Sequence, residues 1–190
     1  SQFYENQQFR PDWTSPDRVD ELITAIKSMA TDGLDPQDYH LAALHAYRED
    51  MARHALAPAE QADLEVLAMD ALMLATYHPY EGKVDPVKLS TQWNYAPRPA
   101  PDGDPLVRLA QAIDTRPIGE IFDRVRRQHV WYQRGRDRLG EYRAIAAAGG
   151  WSAITDGPTM KLGVTDPRVP ALRHRLEITH DLEPVPPAYP

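Results

Sequence analysis

The chain has 190 residues, 42% of them hydrophobic and 26% charged, with a formal net charge of −7. That composition supports a packed core and excludes wholesale disorder, which needs low hydrophobicity together with high net charge. Cysteine is absent, which excludes disulfides, thiolate zinc sites and any cysteine nucleophile within these residues.

The charge is uneven. Residues 1–115 carry 9 Lys/Arg against 19 Asp/Glu, whereas residues 116–190 carry 12 against 9. The basic part is an Arg-rich stretch containing Arg124, Arg126, Arg127, Arg134, Arg136, Arg138 and Arg143. It suits an anionic partner. The plainer reading interleaves these arginines with Asp123, Asp137 and Glu141 on solvated helix faces, since the spacing offers i,i+3 and i,i+4 pairs. No apolar run reaches the roughly 18 residues of a membrane span. The start, Ser1-Gln2-Phe3-Tyr4-Glu5, lacks the basic and apolar regions of a signal peptide, so the chain reads as a mature product.

Ser15-Pro16-Asp17 is a helix start: an N-cap residue, a proline suited to the first turn and an acid at the positive end of the dipole. Val19, Leu22, Ile23, Ile26, Met29 and Ala30 follow as one apolar stripe, and Gly33 is placed to take the left-handed position beyond it. Asp35-Pro36 predicts a second helix with Leu41, Leu44 and Tyr47 on a common side, paired with the first as a helical hairpin. From Ala59 to Tyr80 the apolar residues point to nearly every side, which predicts a central buried helix ended by Pro79 and Gly82. A turn over Gly82–Pro86 leads to a short helix around Val87 and Leu89.

Ala96–Gly103 reads as a loop, and Asp104-Pro105 as the cap of a helix carrying Leu106, Leu109, Ala112 and Ile113. Ile118, Ile121, Phe122 and Val125 mark another. A longer helix runs from near Trp131 to Ala148, with Leu139, Tyr142, Ile145 and Ala146 inward, and Gly149-Gly150 stops it. Beyond it, Trp151–Ile154 and Thr159–Leu162 are candidates for extended structure. Asp166-Pro167 caps a last helix with Val169, Leu172, Leu176 and Ile178, and the proline-rich Glu183–Pro190 cannot be helical. The fold class is therefore mostly α: a multi-helix scaffold of seven to nine helices with short irregular or extended segments near the C-terminus.

Local motifs give no chemistry. His40 and His45 are five apart and diverge on a helix, whereas paired helical metal ligands want i,i+4 spacing. Asp63 and Asp70 lie about 10 Å apart along one helix side, too far for a glycosidase pair without adjustment. The ordinary reading is that Asp63 flanks a helix start and Asp70 is a buried, satisfied acid. No catalytic, cofactor-binding or metal-ligating residue is expected. Arg124, Arg127, Arg134, Arg138 and Trp151 remain as candidate contacts for a partner or glycan.

The order of segments carries more. Phe3-Tyr4, Arg10-Pro11-Asp12-Trp13, Gly33–His40, Asp70–Met73 and Gly82–Pro86 resemble the opening of large Gram-negative YcbB-like L,D-transpeptidases. The likeness is sharpest at Tyr142–Ala146, Gly149-Gly150-Trp151, Gly157–Gly163 and Asp166–Leu176. The resemblance implies an N-terminal scaffold domain over residues 1–148. Residues 149–190 would then form the junction and first helix of a peptidoglycan-binding domain, without that domain's later segments. It further implies a periplasmic or envelope protein that cross-links peptidoglycan between meso-diaminopimelate residues, with a role in cell-wall biogenesis and cell shape. The transferase chemistry would belong to a Ser-His-Gly-Cys segment outside these residues. Partners implied are peptidoglycan and the parent's catalytic and binding lobes; nucleic acid and a membrane span are not.

Overall fold

The computed structural model describes residues 4, 5, 8–90, 92, 93 and 105–183. Phe3, the Ala96–Gly103 loop, the Asp104 cap and the proline-rich stretch after Glu183 lie outside them, as do the side chains of Leu106 and Leu109. Among the described residues the protein is mostly helical and contains no strand. Residues 1–133 and 134–190 form two compact units.

The first helix, α1, covers Pro16–Ser28. Pro16 sits where the missing N–H costs nothing, and Ser15 caps through its carbonyl, which accepts from Arg18 N and Val19 N, rather than through its hydroxyl. Val19, Leu22, Ile23, Ala25 and Ile26 are buried as the stripe predicts. A 3₁₀ turn, Met29–Asp32, then leads to Gly33 at φ 80°. The Leu34 N–H reaches back to the Met29 carbonyl at 3.2 Å, so the left-handed residue closes a Schellman-type end. Gly33→Ala is expected to cost about 1–2 kcal/mol, the penalty of an L side chain in this conformation. A chemical-denaturation midpoint unchanged from the parent would contradict that.

The helix expected from Asp35-Pro36 is divided in two. Asp35 Oδ1 accepts from Gln37 N at 2.9 Å and opens a 3₁₀ turn, Pro36–Tyr39. His40 then takes a left-handed conformation at φ 57°, and α2 (Leu41–Arg53) begins after it. The break buries the Tyr39 ring completely and lets the His40 imidazole meet Asp70. The expected pairing holds: α2 packs on α1.

The central helix, α3, spans Pro58–Glu81. Glu60 reaches back to accept from Ala57 N at 2.8 Å, half of a capping box. Pro79 does not end the helix as expected. It lies buried inside the last turn, where the helix goes on without the i→i−4 hydrogen bond that proline cannot donate, and Gly82 at φ 120° makes the stop. Nor is α3 buried all round. Leu64, Ala68, Ala71, Leu72 and Ala75 are fully buried, but Val66, Met73 and Tyr77 are exposed. α3 touches α6, α1, α2 and the Pro36–Tyr39 turn, and the face that none of them covers carries Val66, Met73 and Tyr77.

After the short α4 (Pro86–Leu89), capped by Asp85 on Val87 N, come α5 (Pro105–Thr115) and α6 (Ile118–Val125). Ile118, Ile121 and Phe122 of α6 pack against α1 and α3. The core of this unit is thus built from α1, α2, α3 and α6, with Trp13 and Tyr39 as its largest fully buried rings.

Helix α7 (Val130–Ala147) begins in the first unit and passes into the second. Leu139 and Ile145 are half-buried, whereas Tyr142 and Ala146, expected inward, are exposed. Gly149 and Gly150, both at positive φ, end it. The stretches 151–154 and 159–162 form no helix and no strand ladder and are the short irregular or extended segments expected near the C-terminus. The last helix, α8 (Val169–Ile178), starts later than Asp166-Pro167 suggests. Asp166 instead accepts from Arg168 N at 2.9 Å and pairs with the Arg168 guanidinium at 2.7 Å. That bond and pairing hold the Asp166 carboxyl down at about 2. The same guanidinium donates to the carbonyls of Thr155 and Pro158, so one side chain gathers the irregular segment. No described residue of 134–183 is buried.

Candidate functional site

Of the carboxylates on the central helix, the two singled out by sequence are both exposed. Asp70 is not the buried acid it was expected to be; it pairs with His40 Nε2 at 2.7 Å. The buried one is Glu65, 7% accessible. Its Oε1 accepts from Trp13 N at 2.8 Å and from the Gln61 amide at 3.0 Å, and its Oε2 from Asp12 N at 3.0 Å. The Glu65 backbone carbonyl accepts from Tyr4 Oη at 2.9 Å. One residue of α3 therefore fastens Tyr4, Asp12 and Trp13. Burial pushes the Glu65 carboxyl above its usual range, although three donors oppose that shift. The Tyr4 phenol is raised by burial first and by the Glu65 charge second.

A second polar anchor sits at the other end of the unit. Arg126, 8% accessible, donates from Nε to Asp32 Oδ2 at 2.8 Å, from Nη1 to Asp123 at 2.7 Å and from Nη2 to Ser28 Oγ at 2.6 Å. The Asp32 side chain is 0% accessible, and its other oxygen accepts from Tyr132 Oη at 2.9 Å. The first turn of α7 is thus tied to the end of α1 through a shared acid. This arginine belongs to the basic stretch, yet it faces inward.

The five candidate contact residues fall in both units. In the first, Arg124 is exposed on α6, and Arg127 is exposed while donating to the Tyr80 carbonyl at 3.3 Å. In the second, Arg134 and Arg138 are exposed on α7. Arg138 pairs with Glu141 one turn on, and that hydrogen bond raises its already high proton affinity. Trp151 is half-buried, with the Tyr142 ring edge-on at 6.1 Å and the Arg175 guanidinium 4.9 Å from its ring centre. One of its faces is therefore taken by a cation–π contact. The i,i+3 pairs Asp123–Arg126 and Arg138–Glu141 follow the helical spacing.

His40 meets an acid and His78 a phenol. His78 Nδ1 lies 2.9 Å from Tyr39 Oη, and burial lowers its basicity. Among the described residues no three His, Asp or Glu side chains converge in a way that could hold a metal. No helix among them is long and apolar enough to cross a membrane.

A family model described as a scaffold domain matches residues 1–139. The chain belongs to the scaffold-domain family. The match agrees with the resemblance to the N-terminal scaffold of YcbB-like L,D-transpeptidases. It covers the first unit entirely and runs a few residues into the second. No curated protein matches the chain, and no solved structure does. A scaffold domain suits what the two buried charged side chains do: Glu65 and Arg126 are each spent on holding backbone and helix ends.

Proposed function

We propose that the chain is the non-catalytic scaffold portion of a peptidoglycan L,D-transpeptidase, supporting a catalytic lobe and a glycan-binding lobe that lie outside these residues. The observation that carries this is the scaffold-family match over residues 1–139, joined to the ordered likeness in segments such as Tyr142–Ala146 and Asp166–Leu176. In this reading residues 1–148 are the scaffold, and residues 149–190 are the junction and first helix of the binding domain. These residues hold no cysteine, so in this reading the thioester chemistry would belong to another part of the parent, which would work in the periplasm or cell envelope and join meso-diaminopimelate residues. The absence of buried residues in 134–183 also supports the reading, because such a segment has too little apolar burial to be stable by itself.

Sequencing the reading frame past the codon for Pro190 tests it. Continuation into a Ser-His-Gly-Cys segment is the expected result; a frame with no such segment overturns the reading.

A second reading is a binding module that uses Arg124, Arg127, Arg134, Arg138 and Trp151 toward peptidoglycan or an anionic envelope protein. The exposure of all four arginines favours it. Retention on purified sacculi at low salt, abolished by reversing those charges, is its expected signature. Equal retention of the charge-reversed variant would remove it.

A further inference from the structure

A cleft of about 570 Å³ opens in the first unit. It lies between the Arg10–Asp12 segment, the first turns of α1 and the α5–α6 connection, and its charged lining is Arg10, Arg18 and Arg116 with Asp12, Glu21 and Asp114. Its size falls in the range of small-molecule sites. Three cations and three anions facing one space is not what a surface groove needs for solubility, and most of these groups are already committed. Arg18 donates to the carbonyls of Ile113 and Arg116 and to Glu21, Glu21 also accepts from Ile118 N, and Arg10 is held by Asp114.

Two groups are left under-used. The Asp12 side chain is only 4% accessible, and its Oδ2 is buried with no hydrogen-bond partner. Its nearest cation, Arg10 Nη2, stands 3.6 Å from the other oxygen, Oδ1, beyond hydrogen-bond range. Arg116 is loosely paired as well: its guanidinium is 3.8 Å from Glu120. A buried acceptor without a donor costs about 1–3 kcal/mol, so such groups are normally served by something.

We propose that this cleft binds a small zwitterion, an amino-acid-type head group whose ammonium donates to the Asp12 carboxylate and whose carboxylate pairs with Arg116. The charge pattern selects that class. A simple anion meets Asp12, Glu21 and Asp114; a simple cation meets Arg10, Arg18 and Arg116. Only a ligand carrying both signs gains on both sides. Burial raises the Asp12 carboxyl above its ordinary range, against the pull of Arg10, and an incoming ammonium would favour its charged form. The inference stands apart from the scaffold reading, since it rests on residues of the first unit alone.

The test is amide chemical-shift titration of the full chain with glycine, with acetate and methylammonium as its two halves. Saturable shifts confined to residues 10–18 and 113–118 with glycine, and none with either half, are expected. Asp12→Asn and Arg116→Gln should each weaken glycine binding at least about tenfold, the worth of one charge-assisted contact. Both variants must keep the parent's helical circular dichroism. Arg116 is at the surface, so its variant still reports if Asp12→Asn unfolds. No saturable shift up to the solubility limit of glycine overturns the proposal and leaves Oδ2 to a buried water. Acetate binding as well as glycine overturns it in favour of simple anion binding.

Discussion

Replacing Arg126 with methionine is expected to destabilise the first unit by about 3–5 kcal/mol, the usual result of removing one partner from a buried charge pair. The methionine is close enough in volume to leave little cavity. The loss comes from Asp32, whose side chain is 0% accessible and would keep its charge without the guanidinium that faces it, while Tyr132 Oη still donates to its other oxygen. Ser28 Oγ and Asp123 would each lose a donor too, but Asp123 is exposed and can turn to water. For a unit of this size the melting temperature should fall by roughly 10 °C or more, read from helical circular dichroism. Adding Asp32→Asn to the same chain should recover a large part of the loss, because the unpaired charge is then gone. A methionine variant that melts with the parent would show that Arg126 is solvated in solution.

Glu65→Ala is the second large effect, at about 2–4 kcal/mol. The carboxylate serves two backbone N–H groups and one side-chain amide, and bonds to a charged acceptor are worth about 1.5–3 kcal/mol each before compensation by water. The damage should be local first. The Asp12 and Trp13 N–H groups both donate to this carboxylate, so these amides should lose hydrogen-exchange protection before the helices do. Glu65→Gln keeps one acceptor oxygen and should cost about half as much as the alanine change. Equal protection of the Trp13 amide in the alanine variant and the parent would refute the clamp.

The same residue sets a pH dependence whose sign can be worked out. Burial raises the folded-state pKa of Glu65 above its ordinary 4.5, and that of Asp12 above 3.8. The folded chain therefore binds more protons than the unfolded chain in the window between those values and the raised ones. Stability contributed by these two groups is fully present below that window and is lost as pH rises through it. Denaturation midpoints measured across the acid range should show this component in the parent, and Glu65→Gln should flatten it. Asp166 runs the other way: its pKa is lowered to about 2, so its contribution is present above 3.8 and is lost as pH falls toward 2.

The residues that the sequence makes readable are those whose partners are near in the chain. The α1 stripe, the Pro16 start, the Gly33 stop and the Gly149-Gly150 stop are set by 3.6-residue periodicity and by backbone sterics, and each appears where the pattern puts it. The i,i+3 pairs of the basic stretch are local for the same reason. The family likeness is legible too, because it rests on ordered short segments rather than on contacts.

Tertiary structure decided the rest. The pattern of α3 predicts burial all round, but the number of helices available to pack on it left Val66, Met73 and Tyr77 in water. His40 divides a helix that composition alone would continue, since only the fold brings Asp70 beside it, 30 residues away. Asp63, Glu65 and Asp70 are equivalent as letters. What buries Glu65 is a turn 52 residues earlier whose N–H groups have no other acceptor. Arg126 is one arginine among seven in the basic stretch, and its inward role depends on Asp32, 94 residues away. Local sequence fixes which backbone conformations are cheap, whereas a buried charge is tolerated only where distant residues supply its partners, and that supply exists only once the helices have packed.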